Sequence, residues 1–129
     1  MGYTVYWEQL PFSTFTYNNV INLIPKVISS NTNFRIESWG FIIGNDDDNC
    51  SVIERKPTQM TFSKTNRHPY TKEFMKALII MVEFGAAYNL NHDDNDMGLY
   101  LEALEEVNAR HPLVSYEQQK NTFSKSMLV

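Results

Sequence analysis

The segment from Thr71 to Gly85 constrains the fold more than any other part of the chain, because it is apolar around most of a helix. Nine apolar residues fill it, and its polar stripe consists only of Lys72, Glu73, Lys76 and Glu83. A helix with so narrow a polar stripe must be covered on most sides by the rest of the chain. The sequence therefore predicts a central core helix over Thr71–Gly85, with the glycine as its stop signal.

Five β-strands are predicted around this helix from alternation and from β-branched and aromatic content. The first covers Tyr3–Glu8, with Tyr3, Val5 and Trp7 on one face. The others are Asn33–Ile43 with Gly40 as a bulge, Ser51–Arg55, Gln59–Lys64 and Ala87–Asn91. The run Gly44–Asn49 between the second and third strands is predicted to be a hairpin loop.

Two further helices are predicted from apolar residues at three- and four-residue steps. One covers Thr16–Ser30, is capped by Ser13 or Thr14, and is kinked or split at Pro25. The other follows the acidic run Asp93–Asp96 and ends before Pro112. Its apolar face consists of Met97, Tyr100, Leu101, Leu104 and Val107.

The order of elements, β-α-β-β-β-α-β-α, predicts an α+β fold in which two to three helices cover a single, mostly antiparallel sheet. Residues 1–112 are predicted to form one domain. Residues 113–129 are mostly polar, with a few apolar residues such as Phe123 and Leu128. This segment is interpreted as a C-terminal arm that is either disordered or docked on a neighbouring subunit.

Composition narrows the classes of function. The 129 residues, 43% of them hydrophobic, suffice for one domain core. A net charge of −4 argues against binding of extended nucleic acid, but it is compatible with a small local basic patch. The longest apolar run, Ala77–Val82, is too short to span a membrane, and Met1–Leu10 lacks a secretory signal pattern. A single cysteine, Cys50, excludes an intrachain disulfide and favours a reducing compartment, the cytoplasm or the nucleus.

The residues just before the core helix form a candidate ligand site. Lys64, Thr65 and Arg67 precede a helix N-terminus, where free N–H groups and a partial positive charge attract a phosphate or carboxylate. If Met60 and Phe62 point into the core, strand alternation brings Lys64 out at its edge. The alternative is that the two cations are solvated or paired with nearby acids.

Two acidic clusters, Asp46–Asp48 and His92–Asp96, raise the possibility of a divalent-metal site. Neither has the spacing of a calcium loop, so loop capping and solvation are favoured. Cys50 and one of His68, His92 or His111 could in principle form a nucleophile–base pair. The chain has none of the common catalytic motifs. The sequence therefore predicts no catalytic residue, no metal and no cofactor.

Two short motifs carry a family resemblance: Met1-Gly2-Tyr3-Thr4-Val5-Tyr6-Trp7, and Phe62-x-Lys64-Thr65-x-Arg67-x-Pro69-Tyr70 before an apolar helix. They resemble motifs of a family of small uncharacterised proteins of bacteria and their phages. The resemblance implies no activity, but it adds Tyr70 to the candidate ligand residues. The chain departs from that pattern at Asp46–Asp48, at Thr71, where an aspartate is usual, and in the tail from Leu113. Its thirteen asparagines and this tail are taken as signs of an origin in a large DNA virus.

Three functions are predicted, in decreasing order of support. The first is a non-catalytic structural or interaction protein, oligomeric and associated with a virus particle, that acts through an aromatic sheet face and the C-terminal arm. In that case it would reside in the host cytoplasm or the virion, with a second copy or another protein as partner. The second is an anion- or nucleotide-binding module at the basic turn. The third is a metal-dependent phosphodiesterase.

Overall fold

The computed structural model describes residues 3–57, 61–94 and 97–127, with side chains of the last helix described as far as residue 124. Within these ranges the α+β class is confirmed. The elements, in chain order, are β1 (Thr4–Gln9), α1 (Thr14–Val27), β2 (Asn33–Glu37), β3 (Gly40–Gly44), β4 (Cys50–Glu54), β5 (Thr61–Lys64), α2 (Tyr70–Glu83), β6 (Ala87–His92), α3 (Gly98–Arg110) and α4 (Tyr116–Met127).

The strands form two antiparallel three-stranded sheets, so the prediction of a single sheet is wrong. One sheet has the order β5-β1-β6, and the other has the order β2-β3-β4. Strand β5 pairs with β1 rather than with β4, which precedes it in the chain. At the seam, β4 and β5 are joined through side chains: the hydroxyls of Ser51 and Ser63 lie 2.5 Å apart. Ser51 also bonds the Tyr70 hydroxyl of α2, at 3.0 Å, so both sheets turn their inner faces toward the same helix.

The predicted long strand Asn33–Ile43 is in fact a hairpin. Glu37 pairs with Gly40, so Ser38 and Trp39 form a two-residue turn between β2 and β3. Gly40 is not a bulge but a point of close approach, since a Cβ there would lie 1.9 Å from the Ile53 carbonyl oxygen on β4. The bulge lies instead in the pairing of β1 with β6.

Helix α2 is the core helix that the sequence predicts. Leu78 and Ile79 are fully buried, and the helix packs against β3 of one sheet and β6 of the other. It ends just before Gly85, whose φ of +76° is a conformation that favours glycine. Because one helix contacts both sheets, the buried apolar residues form a single core.

Helix α1 covers the core beside α2 and follows its predicted pattern. The Ser13 hydroxyl caps it by accepting a hydrogen bond from the Thr16 N–H at 3.1 Å. The helix runs through Pro25 to Val27, so the proline does not split it. Among the described helices, none combines the length and apolarity needed to cross a bilayer.

The segment after Pro112 differs from the predicted arm, because it folds back on its own chain. Leu113 and Phe123 are buried, and the Phe123 ring stacks on Tyr100 of α3 with a centroid distance of 5.1 Å. Glu83, at the end of α2, accepts hydrogen bonds from the Val114 and Ser115 N–H groups at 3.0 and 2.9 Å. These contacts fasten α4 to the body of the protein. Leu128 lies outside the described residues.

Candidate functional site

The turn between β5 and α2 holds Arg67 on the surface in a specific position. Asn66 and Arg67 both have left-handed backbone conformations, with φ of 52° and 60°. The Arg67 guanidinium lies 4.4 Å from the centroid of the Tyr3 ring and 3.0 Å from a carboxylate oxygen of Asp94. Its hydrogen bond lowers the pKa of Asp94. Arg67 is thus an exposed cation that already has an acidic partner within the chain.

The other three predicted ligand residues do not converge with Arg67 on one surface. Thr65 is fully buried and donates its N–H to the Tyr3 carbonyl at 2.9 Å. Tyr70 is also buried, and this burial raises the pKa of its hydroxyl. Lys64 is exposed at the end of β5. Two of the four side chains therefore face the core and two face solvent.

Strand alternation places Lys64 differently from the sequence expectation. Phe62 is 53% exposed, so Phe62 and Lys64 share the outer face of β5, away from the core. Met60 lies outside the described residues. The anion site thus stays a prediction, and an anion bound by Arg67 would compete with Asp94.

The acidic clusters serve as local caps in the described part of the chain. Asp46 accepts the N–H groups of Asp48 and Asn49, both at 2.9 Å, and these bonds lower its pKa. Asp47 pairs with Arg35 at 3.2 Å. Asp93 accepts the Thr4 N–H at 2.8 Å. No group of three potential metal ligands occurs among the described residues. Asn95 and Asp96 lie outside them.

A buried ion network was not predicted from the sequence. Lys76, 3% exposed, lies 3.0 Å from Glu73, which is itself buried, and 2.9 Å from Glu106 of α3. It also donates to the Val27 carbonyl at 3.1 Å, while Glu73 accepts the Ser29 N–H at 2.6 Å. The spacing of these residues on α2 predicts only a polar stripe, because their partners lie far away in the sequence. The network joins the end of α1 to α2 and α3.

An open polar cleft of about 520 Å³ lies beside this network. Loop residues 29–32 form one wall, and Lys72, Glu106 and Arg110 line another side. Lys72 bonds Glu106 at 2.6 Å. Since Lys76 already has three acceptors, the buried charge at the base of the cleft is satisfied within the protein. The role of this buried charge is therefore structural.

His92 belongs to a buried cluster rather than to a catalytic pair. Its Nδ1 accepts the Asp94 N–H at 3.3 Å and lies 2.5 Å from the Tyr3 hydroxyl, which must therefore donate. The Tyr100 ring packs on the imidazole with centroids 5.4 Å apart. The Cys50 thiol donates to the Asp47 carbonyl at 3.6 Å. In the described chain no hydrogen bond joins Cys50 to a histidine.

The outer side of the β5-β1-β6 sheet carries three exposed aromatic residues. Tyr6 of β1 stands directly opposite Phe62 of β5, and Tyr88 of β6 stands opposite Glu8. Tyr6 and Tyr88 are 37% and 45% exposed, whereas Val5, between Thr4 and Tyr6 on β1, is fully buried. We call this surface, with the residues Tyr6, Glu8, Phe62, Lys64 and Tyr88, the aromatic face. Neither the buried core nor an ion pair within the described residues accounts for these exposed rings.

The charges on the aromatic face lie at its two ends. Lys64 pairs in register with Thr4 at the start of β1, whereas Glu8 lies near the end of that strand. The Asn89 side-chain amide donates a hydrogen bond to Glu8. One cation and one anion leave the face without net charge. Its chemistry is that of an aromatic surface with a charge at each end.

Fold and surface together define a two-layer α+β protein whose helices cover one side of the strands and leave an aromatic face on the other. Comparisons with protein-family models, with curated proteins and with solved structures give no match to this chain. The resemblance to bacterial and phage proteins and the viral origin therefore stay predictions.

Proposed function

We propose that this chain is a non-catalytic interaction protein that binds a protein partner through the aromatic face. The observation that carries the proposal is the cross-strand pair of Tyr6 and Phe62, two large rings in register that are both exposed. Clustered exposed aromatic residues are typical of interaction surfaces, whereas single exposed apolar residues are ordinary. Aromatic rings bury a large area on binding at little conformational cost.

The other candidate functions have less support. An anion at the turn before α2 would meet Lys64 and Arg67, but Arg67 is already paired with Asp94. Stabilisation of the protein by phosphate, and its loss in a Lys64→Ala/Arg67→Ala variant, remains the test of that alternative. In a metal-dependent phosphodiesterase, carboxylates such as Asp46 and Asp93 would have to give up their hydrogen bonds to backbone N–H groups in order to bind the metal.

Site-specific photo-crosslinking in the cells that naturally produce this protein tests the proposal directly. A photoreactive phenylalanine analogue placed at position 62 is expected to form a covalent adduct with a protein. The same analogue at position 15 is the matched control, since Phe15 is 77% exposed but lies on α1, away from the aromatic face. Position 15 is expected to give no such adduct. Adducts of equal yield at both positions, or none at position 62, would contradict the proposal.

A further inference from the structure

We infer that the partner of the aromatic face is a second copy of this chain, related by a two-fold axis that passes by Tyr6. This inference rests on the proposed function and names its partner. A two-fold interface needs a surface that is complementary to itself, because each residue of one copy meets the same patch on the other. The layout of rings and charges on the aromatic face meets that requirement.

The register of the sheet places the complementary charges. Lys64 lies opposite Thr4, and Glu8 lies four residues further along β1, or about 13 Å at the rise of a strand. Tyr6 and Phe62 lie between these two ends. A two-fold axis that passes by Tyr6, parallel to the sheet and perpendicular to its strands, exchanges the two ends of the aromatic face. It brings Lys64 of one copy beside Glu8 of the other, and rings meet rings at the centre.

Charge also argues against the main competing occupant, a single-stranded nucleic acid stacked on the same rings. Such ligands need aromatic platforms together with several cations that follow the phosphates. The aromatic face carries one cation, Lys64, and the charge of Glu8 offsets it. The chain as a whole has a net charge of −4. A second copy needs only the single cation and the single anion that the face provides.

The size of the face sets the expected strength of association. Two strands of six residues and one of four cover roughly 250 Å² in projection. Stable interfaces bury about 800 Å² on each partner, so this surface corresponds to a weak dimer. Interfaces of standard size have dissociation constants from micromolar to picomolar, so we expect a micromolar or weaker dissociation constant for this smaller one. Association would then matter where the local protein concentration is high, as in an assembling particle.

Sedimentation velocity of the full chain, from about 1 to about 500 µM, tests the inference. The wild type is expected to pass from monomer to dimer across this range. Lys64→Glu and Glu8→Lys each place like charges together at both ends of the interface, so each is expected to weaken association at least about tenfold. The double variant restores opposite charges and is expected to recover most of the affinity, although Glu8→Lys also removes the bond from Asn89.

Two further variants locate the interface. Phe62→Ser removes a central ring from an exposed position and is expected to abolish the dimer, whereas Phe15→Ser on α1 is expected to leave it unchanged. Circular dichroism of each variant confirms that it is folded. A dimer that Phe62→Ser does not weaken, or a double charge variant that stays as weak as the singles, would overturn the inference.

The outcomes separate this inference from the proposed function. A wild-type chain that stays monomeric, together with an adduct from position 62 to a different protein, overturns the second copy but leaves the interaction surface in place. A monomer with no adduct at position 62 overturns both. Binding of a short single-stranded oligonucleotide that Phe62→Ser abolishes would also overturn the inference, because the face would then have a different occupant.

Discussion

Lys76 gathers acceptors from three helical segments around one buried ammonium group. Its Nζ atom meets the Val27 carbonyl at the end of α1, Glu73 on its own helix and Glu106 on α3. Desolvation opposes ionisation of Glu106, but hydrogen bonds from Lys72 and Lys76 outweigh it and lower its pKa. Buried charges of this kind stabilise a fold only while every member of the group is present.

We predict that Lys76→Met destabilises the protein by roughly 3 to 5 kcal/mol, because it leaves Glu73 buried without its cation. Urea denaturation measures this change in the free energy of unfolding. Lys72→Met is the matched control. Its side chain is partly exposed and pairs with Glu106 near solvent, so we expect a loss of about 1 kcal/mol or less. Equal losses in the two variants would contradict the proposed role of Lys76.

The sequence predicts some residues of this fold well and others not at all, for physical reasons. Alternation predicts that Tyr3, Val5 and Trp7 share one face, because neighbouring side chains on a strand point to opposite faces, and all three are buried in the structure. The burial of Lys76 could not be predicted in that way. A lysine on a polar stripe has the same spacing whether it faces water or Glu106, which lies thirty residues further along the chain.

At the scale of elements, the position of α4 depends on contacts with residues far from it in the sequence. Glu83 at the end of α2 accepts the Ser115 hydroxyl and N–H, and also the Val114 N–H. Desolvation raises the pKa of Glu83, but these three hydrogen bonds outweigh it and lower that pKa below its ordinary value. The polar segment after Pro112 therefore resembles a free arm in sequence, although it docks in the structure.

The lowered pKa of Glu83 makes the docking of α4 sensitive to acid. A carboxyl group whose pKa is lowered by folding contributes its full stabilisation above its unfolded pKa, here about 4.5, and loses it as the pH falls through the folded value. We predict that Glu83→Gln is less stable than wild type by about 1 kcal/mol at pH 7. The difference should be smaller at pH 4, which lies below the unfolded pKa. Urea denaturation at both pH values measures the difference.

Glu54→Gln provides the control for this pH dependence, because Glu54 has an exposed side chain on β4. We expect it to follow the wild type at both pH values. A Glu83→Gln variant that is as stable as wild type at pH 7, or a difference that grows as the pH falls, would contradict the capping role of Glu83.

The stacking of Phe123 on Tyr100 makes α4 part of the core. We predict that Phe123→Ala lowers the free energy of unfolding by about 3 kcal/mol, as for other buried phenylalanines. Phe15→Ala on α1 is the matched control, and its exposed ring should change stability by less than about 0.5 kcal/mol. Urea denaturation at low protein concentration compares the two. A free arm would instead make both substitutions equally harmless.

At the scale of the whole molecule, two small sheets share one core because α2 packs across both of them. The sequence predicts α2 as the centre of the fold, since so narrow a polar stripe demands cover. The division into two sheets could not be predicted. It depends on β5 pairing with β1, which lies more than fifty residues earlier in the chain, and local patterns carry no record of such pairings.

The two tryptophans test whether this shared core makes the molecule cooperative. Trp7 lies in β1 of one sheet, and Trp39 lies in the turn between β2 and β3 of the other. In Trp39→Phe only Trp7 reports, and in Trp7→Phe only Trp39 reports. Because α2 anchors both sheets, we predict that tryptophan fluorescence and far-ultraviolet circular dichroism give the same urea midpoint within each variant. Comparison within one variant removes the effect of the substitution on overall stability. If the Trp39 signal changes at lower urea than the dichroism, the β2-β3-β4 sheet unfolds separately, and α2 does not unite the two sheets.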